Sequence, residues 1–153
     1  PDMADVIIEY KCPVCIMHMQ GLPENMQNNP TYSDVVMEVR QRLDITARKL
    51  LDLGLEPEMI LTDPGIGFGK LLEHNLSLLA AGREIVPNQE MPLIWGVSRK
   101  RMFADLLGRT DSKDRLSGSL GIASMAPSKG VDIIRVHDAR EHTDLYEAMR
   151  SIN

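Results

Sequence analysis

Asp63 stands directly before a run, PGIGFGK, in which Gly65, Gly67 and Gly69 alternate with Ile66 and Phe68, and Lys70 closes the series. Glycines this dense let backbone approach a ligand closely or take positive φ. A phosphate-cradling P-loop is excluded. Pro64 occupies the place of that motif's first glycine, and Leu71 stands where Ser or Thr is required. The dinucleotide fingerprint fails too, because the spacing is GxGxG and not GxGxxG. What remains is a carboxylate followed by a flexible loop that carries an aromatic ring. A flat heterocycle with amide-like edges suits it, with Asp63 on the edge and backbone against the face. A glycine-rich turn with a capping or loop aspartate is the alternative.

Two further stretches carry charge, one at an expected helix start and one at a strand end. GVSRKRMF (96–103) places Lys100 and Arg101 where a helix is expected to begin, and free N–H groups at helix starts bind anions. A solvated basic helix start is the plainer reading. RVHD (135–138) puts Arg135 and His137 on one side of a strand, because side chains alternate. A guanidinium beside an imidazole suits a phosphate or diphosphate; the alternative is an Arg135–Asp138 pair with a hydrogen-bonded core histidine. The two cysteines, Cys12 and Cys15, form CPVC with no second CxxC to complete a zinc site. They read as reduced thiols, which fits a cytoplasmic protein.

The elements that position these residues follow from the apolar runs. VCIMHM (14–19), MILTD (59–63), PLIWGVS (92–98) and DIIRVHD (132–138) are near-continuous, as in parallel strands covered on both faces. Between them lie helical patterns, clearest over 34–53, where Val35, Val39, Leu43, Thr46, Leu50 and Leu53 recur at helical steps and Gly54 supplies a stop. Others are expected near 74–84, 100–107, 115–126 and 140–151. The strand ends fall about 40 residues apart, room enough for βαβ units. Four βα units predict an α/β domain with a parallel sheet. Ligands of such folds lie at the carboxyl ends of the strands, where His18, Asp63, Ser98, Lys100, Arg135 and His137 fall. The connection 20–33 has no periodicity and reads as a functional or mobile loop, or as plain surface.

Bulk properties exclude several classes. The chain has 153 residues, 43% hydrophobic and 25% charged, with a net charge of −5. That is ordinary globular composition for one domain, 1–153. The scattered Lys and Arg give no nucleic-acid surface. No apolar run approaches the ~20 residues that span a bilayer, and no leader is visible, so no membrane association is expected and a cytoplasmic location is.

Taken together and in order, VCIMHMQGLPENMQ, LTDPGIGFGK, GVSRKRMF and IIRVHDAR resemble dihydropteroate synthases, over about Val14 to Met149. The resemblance implies a (β/α)8 TIM barrel of folate biosynthesis, a target of sulfonamides. Its transferases join 6-hydroxymethyl-7,8-dihydropterin diphosphate to 4-aminobenzoate, giving dihydropteroate and diphosphate. Carried over by motif, Asp63 holds the amino-pyrimidine edge of the pterin and Lys100 bonds it from the other side, the two serving as catalytic residues. Met17 packs on the ring and Gly96 lets it approach. Arg135 and His137 take the diphosphate. Phe68 meets the aminobenzoate, and Arg101 stands where many members have a serine for its carboxylate. Magnesium accompanies the diphosphate, but the asparagine that binds it in the family is not in this chain, so no metal ligand is expected here. A whole barrel has eight βα units and the sequence shows four, matching the family's C-terminal half. The expectation is a half-barrel or fragment that pairs as a homodimer or with an N-terminal half, and that does not turn over alone. A pterin-binding methyltransferase-type domain and a non-catalytic pterin-binding fragment are the alternatives.

Overall fold

The computed structural model of the chain describes residues 3–152. A helix that no sequence pattern announced, α1 (Met3–Tyr10), precedes β1 (Val14–Met17). Only Ile7 of α1 is buried, and eight residues are too few for its period to stand out. Next come α2 (Val35–Asp52), β2 (Ile60–Asp63), α3 (Leu72–Ala81), β3 (Ile94–Trp95), α4 (Met102–Leu107), α5 (Leu116–Met125), β4 (Ile133–Ile134) and α6 (Ala139–Arg150). The alternating α/β plan is therefore present. Among the described residues no helix is long and apolar enough to cross a membrane.

The strands are parallel and lie side by side in chain order. β1 pairs with β2, Val14 opposite Ile60 and Met17 opposite Asp63. β3 pairs with β4, Ile94 opposite Ile133 and Trp95 opposite Ile134. A bridge from Thr62 to Leu93 joins the two pairs. β3 and β4 have two residues each, shorter than the apolar runs suggested. The cause is local chemistry. Pro92 has no N–H to give a ladder, and its carbonyl accepts from both the N–H and the hydroxyl of Thr62. The N–H of Leu93 goes to the Asp132 carboxylate at 2.7 Å. Arg83 reinforces this end, donating to the carbonyls of Gln89, Met91 and Gly130 and to Asp132 at 2.6–3.1 Å. One guanidinium thus ties the amino ends of β3 and β4 together.

The helices cover one face of the strands. Ile16, Ile60, Leu93 and Trp95 are buried with Val39, Leu43, Ala47 and Leu50 of α2, Leu78 of α3 and Phe103 of α4. The other face is not covered, contrary to the reading of both faces as buried. Met17 and Ile133 are each 41% exposed there. The apolar runs are continuous because that inner face is also apolar, not because this chain encloses it.

Helix α2 is set by its caps. The Asp34 carboxylate accepts from the N–H groups of Val36 and Met37, both at 3.0 Å. Glu38 reaches back to the N–H groups of Ser33 and Asp34, a variant of the capping box. Asp34→Ala is expected to lower stability by about 1 kcal/mol, read as a lower urea midpoint at unchanged slope.

Candidate functional site

The carboxyl ends of the four strands converge on Asp63. It is 6% exposed, and its Oδ1 accepts the N–H of Gly65 at 2.7 Å. Burial pushes its pKa up, while the Gly65 bond and the charges of Lys100, Arg135 and Lys70 oppose the rise. Among the described residues no other hydrogen bond engages the carboxylate. The group is desolvated, surrounded by cations and largely unspent as an acceptor.

The glycines explain the loop's course. Gly65, Gly67 and Gly69 all have positive φ. At Gly65 a β-carbon would lie 1.8 Å from the His18 carbonyl oxygen, and at Gly69 one would lie 2.4 Å from that of Gln20. The loop therefore crosses directly over the end of β1. The long segment 20–33 braces it from outside. Gln27 donates to the Gly67 carbonyl at 2.6 Å and the Tyr32 hydroxyl to that of Gly69 at 2.7 Å. The floppy-surface reading of this segment does not hold at these two points.

Lys100 places its Nζ 4.0 Å from the centroid of the Phe68 ring, within cation–π range. Burial lowers its pKa and the Asp63 charge opposes this. Lys100 lies before α4, which starts at Met102 and has six residues, so its charge acts from a turn and not from a long helix start. Met17 faces inward, in register with Asp63. A β-carbon on Gly96 would lie 2.7 Å from Arg135 Nη2, so the guanidinium lies over this glycine. Arg135 makes no hydrogen bond or ion pair to another described residue through its side chain.

The alternative Arg135–Asp138 pair is not formed. Asp138 is engaged in two bonds by Arg99, one from Nε at 2.9 Å and a shorter one from Nη2. Arg99 itself has a positive φ of 54°, and its N–H donates to the Ser119 hydroxyl at 2.8 Å. His137 is exposed, and its main-chain N–H donates to Ser98 Oγ at 3.2 Å. Nδ1 of the same ring lies 3.0 Å from that oxygen. With the main chain donating, the serine hydroxyl can give its proton to Nδ1, which leaves Nε2–H turned outward as a donor. Arg101 is exposed and lines a cleft of about 170 Å³ with Gln27, Gly67, Met102 and Asp105. Asp63 and Phe68 do not line that cleft, so Arg101 is the expected site residue that stands apart.

Sequence reasoning missed Lys70, which is buried beneath the loop. It also gave Ser98 no role beyond a polar strand end. Cys12 and Cys15 are free and exposed. Among the described residues no three His, Cys, Asp or Glu side chains cluster so as to hold a metal ion.

Residues 1–137 match the protein family described as "Pterin binding enzyme". The chain is 44% identical over 152 residues to dihydropteroate synthase of Escherichia coli K12, covering 99% of this chain and 52% of that protein. It is 43% identical over 139 residues to the enzyme of Neisseria meningitidis serogroup C, covering 91% and 49%. It therefore spans about half the length of the curated relatives it matches. Among solved structures it is similar to Yersinia pestis dihydropteroate synthase in a sulfonamide drug complex, with a TM-score of 0.89 and 38% identity over 99% of this chain and 55% of the other. The Burkholderia cenocepacia enzyme complexed with 7,8-dihydropteroate gives 0.90 and 35%, covering 99% and 56%.

Two glycine substitutions separate backbone from side-chain crowding. Gly65→Ala meets a carbonyl that cannot move and is expected to cost more than about 3 kcal/mol. Gly96→Ala meets only the tip of Arg135 and is expected to cost under ~1 kcal/mol while displacing the guanidinium. Urea denaturation of both variants checks the contrast.

Proposed function

The chain belongs to the pterin-binding enzyme family, and from that premise we propose that it supplies the pterin and diphosphate side of a dihydropteroate synthase. The reaction joins 6-hydroxymethyl-7,8-dihydropterin diphosphate to 4-aminobenzoate. The observation that carries this reading is one buried, under-used carboxylate, Asp63, on which the charges of Lys100 and Arg135 act. A carboxylate with free acceptor positions matches the paired N–H groups of an amino-pyrimidine. Two cations with no acid of their own match an anionic substrate.

In this reading Asp63 accepts from the pterin's amino-pyrimidine edge, Lys100 bonds the ring from the opposite side, and Met17 lies against its face. Arg135, stacked over Gly96, and the outward Nε2–H of His137 receive the diphosphate. The C–O bond between the pterin methylene and the diphosphate breaks, and the leaving group takes the electron pair. The aniline nitrogen of 4-aminobenzoate attacks the cationic methylene, forms the C–N bond and loses a proton. Charges already in place stabilise the departing anion without reorganisation. Phe68 forms part of the aminobenzoate site, and a sulfonamide would occupy the same place. Arg101 would reach the aminobenzoate carboxylate only by turning out of its present cleft.

Magnesium is the metal this family implies. The residues present do not fit it as a ligand set: the diphosphate end is built of Arg135, His137 and Ser98, and among the described residues no acidic cluster could hold a metal ion.

The parallel strands in sequential order and the exposed apolar inner face support a second element of the reading. The four βα units correspond to the C-terminal half of a (β/α)8 TIM barrel, closed by four further units. An N-terminal half with the same plan would supply them, and a homodimer of half-barrels is the other closure that symmetry allows. The chain alone is expected to bind a pterin but not to turn over; sedimentation with and without the complementary half, beside a turnover assay, checks this.

Asp63→Ala is expected to weaken pterin binding by about 100-fold, the scale of two charge-assisted hydrogen bonds. Calorimetry showing unchanged affinity would count against the assignment. The same binding should fail on acidification at a higher pH than an ordinary aspartate would give. The pKa of Asp63 is raised, and only its ionised form accepts both bonds. His137→Ala is expected to weaken diphosphate more than pterin, and equal losses would mark a structural histidine.

A further inference from the structure

Lys70 has no part in the chemistry above, yet it is the most enclosed cation at these strand ends, at 4% exposure. Three acceptors surround its Nζ: Nδ1 of His18 at 3.0 Å, the Gly65 carbonyl at 3.1 Å and the Phe68 carbonyl at 3.0 Å. The His18 carbonyl lies farther away, at 3.5 Å. An ammonium has three N–H donors, so donors and close acceptors match in number. The match also fixes His18, whose Nδ1 must offer a lone pair and whose proton must sit on Nε2. A neutral ring agrees with a pKa pushed down to about 4, by burial first and by the Lys70 charge next.

Each of these bonds leads to a group that shapes the site. Gly65 is the residue whose N–H holds Asp63 Oδ1. Phe68 is the ring beneath Lys100. His18 directly follows β1, and its N–H donates to the Asp63 carbonyl at 3.1 Å. We infer that Lys70 is a positioning residue: its ammonium ties the His18 ring to the Gly65 and Phe68 carbonyls and so holds Asp63 and Phe68 in the geometry that receives the pterin. The inference rests on the pterin reading of the site. Lys70 itself touches no substrate.

A neutral amine offers two N–H donors and leaves one acceptor unpaired, which loosens the loop. Burial lowers the Lys70 pKa to about 7, against the Asp63 charge and with that of Lys100. The groups acting on it are His18 just after β1, Asp63 at the end of β2 and Lys100 beyond β3; Arg101 and Asp105 line the cleft that it borders, and Arg42 and Glu38 of α2 act on His18 from behind. His18 titrates well below neutrality and stays neutral across the alkaline limb. Asp63 governs the acid limb of binding. Lys100 is the other group able to shape the alkaline limb, and substitution of Lys70 tells the two apart.

The test pairs calorimetry with nitrogen NMR on the chain and its Lys70→Met and Lys70→Arg variants. The probe is 6-hydroxymethyl-7,8-dihydropterin. In the wild type, affinity should fall as pH rises past about 7, and His18 Nδ1 should shift with the same midpoint. Lys70→Met should bind about 10- to 100-fold more weakly at mildly acid pH, without that limb. Its His18 should titrate nearer the ordinary ~6.5, a change that a merely space-filling lysine would not produce. Lys70→Arg, charged throughout, should carry the limb to higher pH. Binding by Lys70→Met within about twofold of wild type, or a His18 titration that ignores the substitution, overturns the inference. If Lys70→Met does not fold, the wild-type titration decides: the Gly65 and Phe68 amides must move with the midpoint of His18 Nδ1. If Asp63→Ala binds the pterin as tightly as wild type while His18 responds as expected, the pterin reading fails and the Lys70 linkage stands.

Discussion

The site depends on a close approach between two stretches of backbone. The Gly65–Gly69 loop passes so near the His18 carbonyl that no side chain fits at residue 65. That closeness turns the Gly65 N–H onto Asp63 and brings the Phe68 ring under Lys100. It also creates the buried pocket of carbonyls that a lysine must neutralise. Buried carbonyls without donors are costly, and Lys70 fills that need from within the loop itself. The glycines and the lysine are thus one device: the first allow the crossing and the second satisfies what the crossing buries.

The charge distribution follows the same plan. At the opposite end of the strands the guanidinium of Arg83 is spent on carbonyls and Asp132. Arg99 is spent on Asp138, which fixes the turn between β3 and Lys100 to the segment after β4. Lys100 and Arg135 are not spent in this way. Their charges act on Asp63 without an ion pair to it, so among the described residues this end of the strands carries positive charge that no acid has taken up. In a partly desolvated cleft such an excess acts on an anion far more strongly than the same charges would in water.

Much of this was legible from residue order. Helix α2 is found at 35–52 where periodicity placed it at 34–53, because its apolar stripe, its Asp34 cap and Gly54 all agree. The convergence of Asp63, Lys100 and Arg135 was legible because parallel strands present their carboxyl ends together. Other features depend on contacts between distant segments and leave no local trace. Nothing near Asp138 says that it pairs with Arg99, 39 residues away. Nothing near Lys70 says that its partner is His18, 52 residues away. The brevity of β3 and β4 also escaped, because an apolar run reports burial and not whether each N–H finds a strand. Continuous apolar runs predict enclosure on both faces, whereas within this chain one of those faces stays open.

The order of the strands has a consequence for how the molecule comes into being. Every strand lies beside its neighbour in sequence, and no pairing spans the chain from end to end among the described residues. The entropy of closing each unit is that of a loop of modest length, less than a pairing between the two ends of the chain would cost. A ribosome therefore releases each βα unit ready to dock on the one before it. The polypeptide can assemble in the direction it is made, leaving its open inner face as the last surface to find cover.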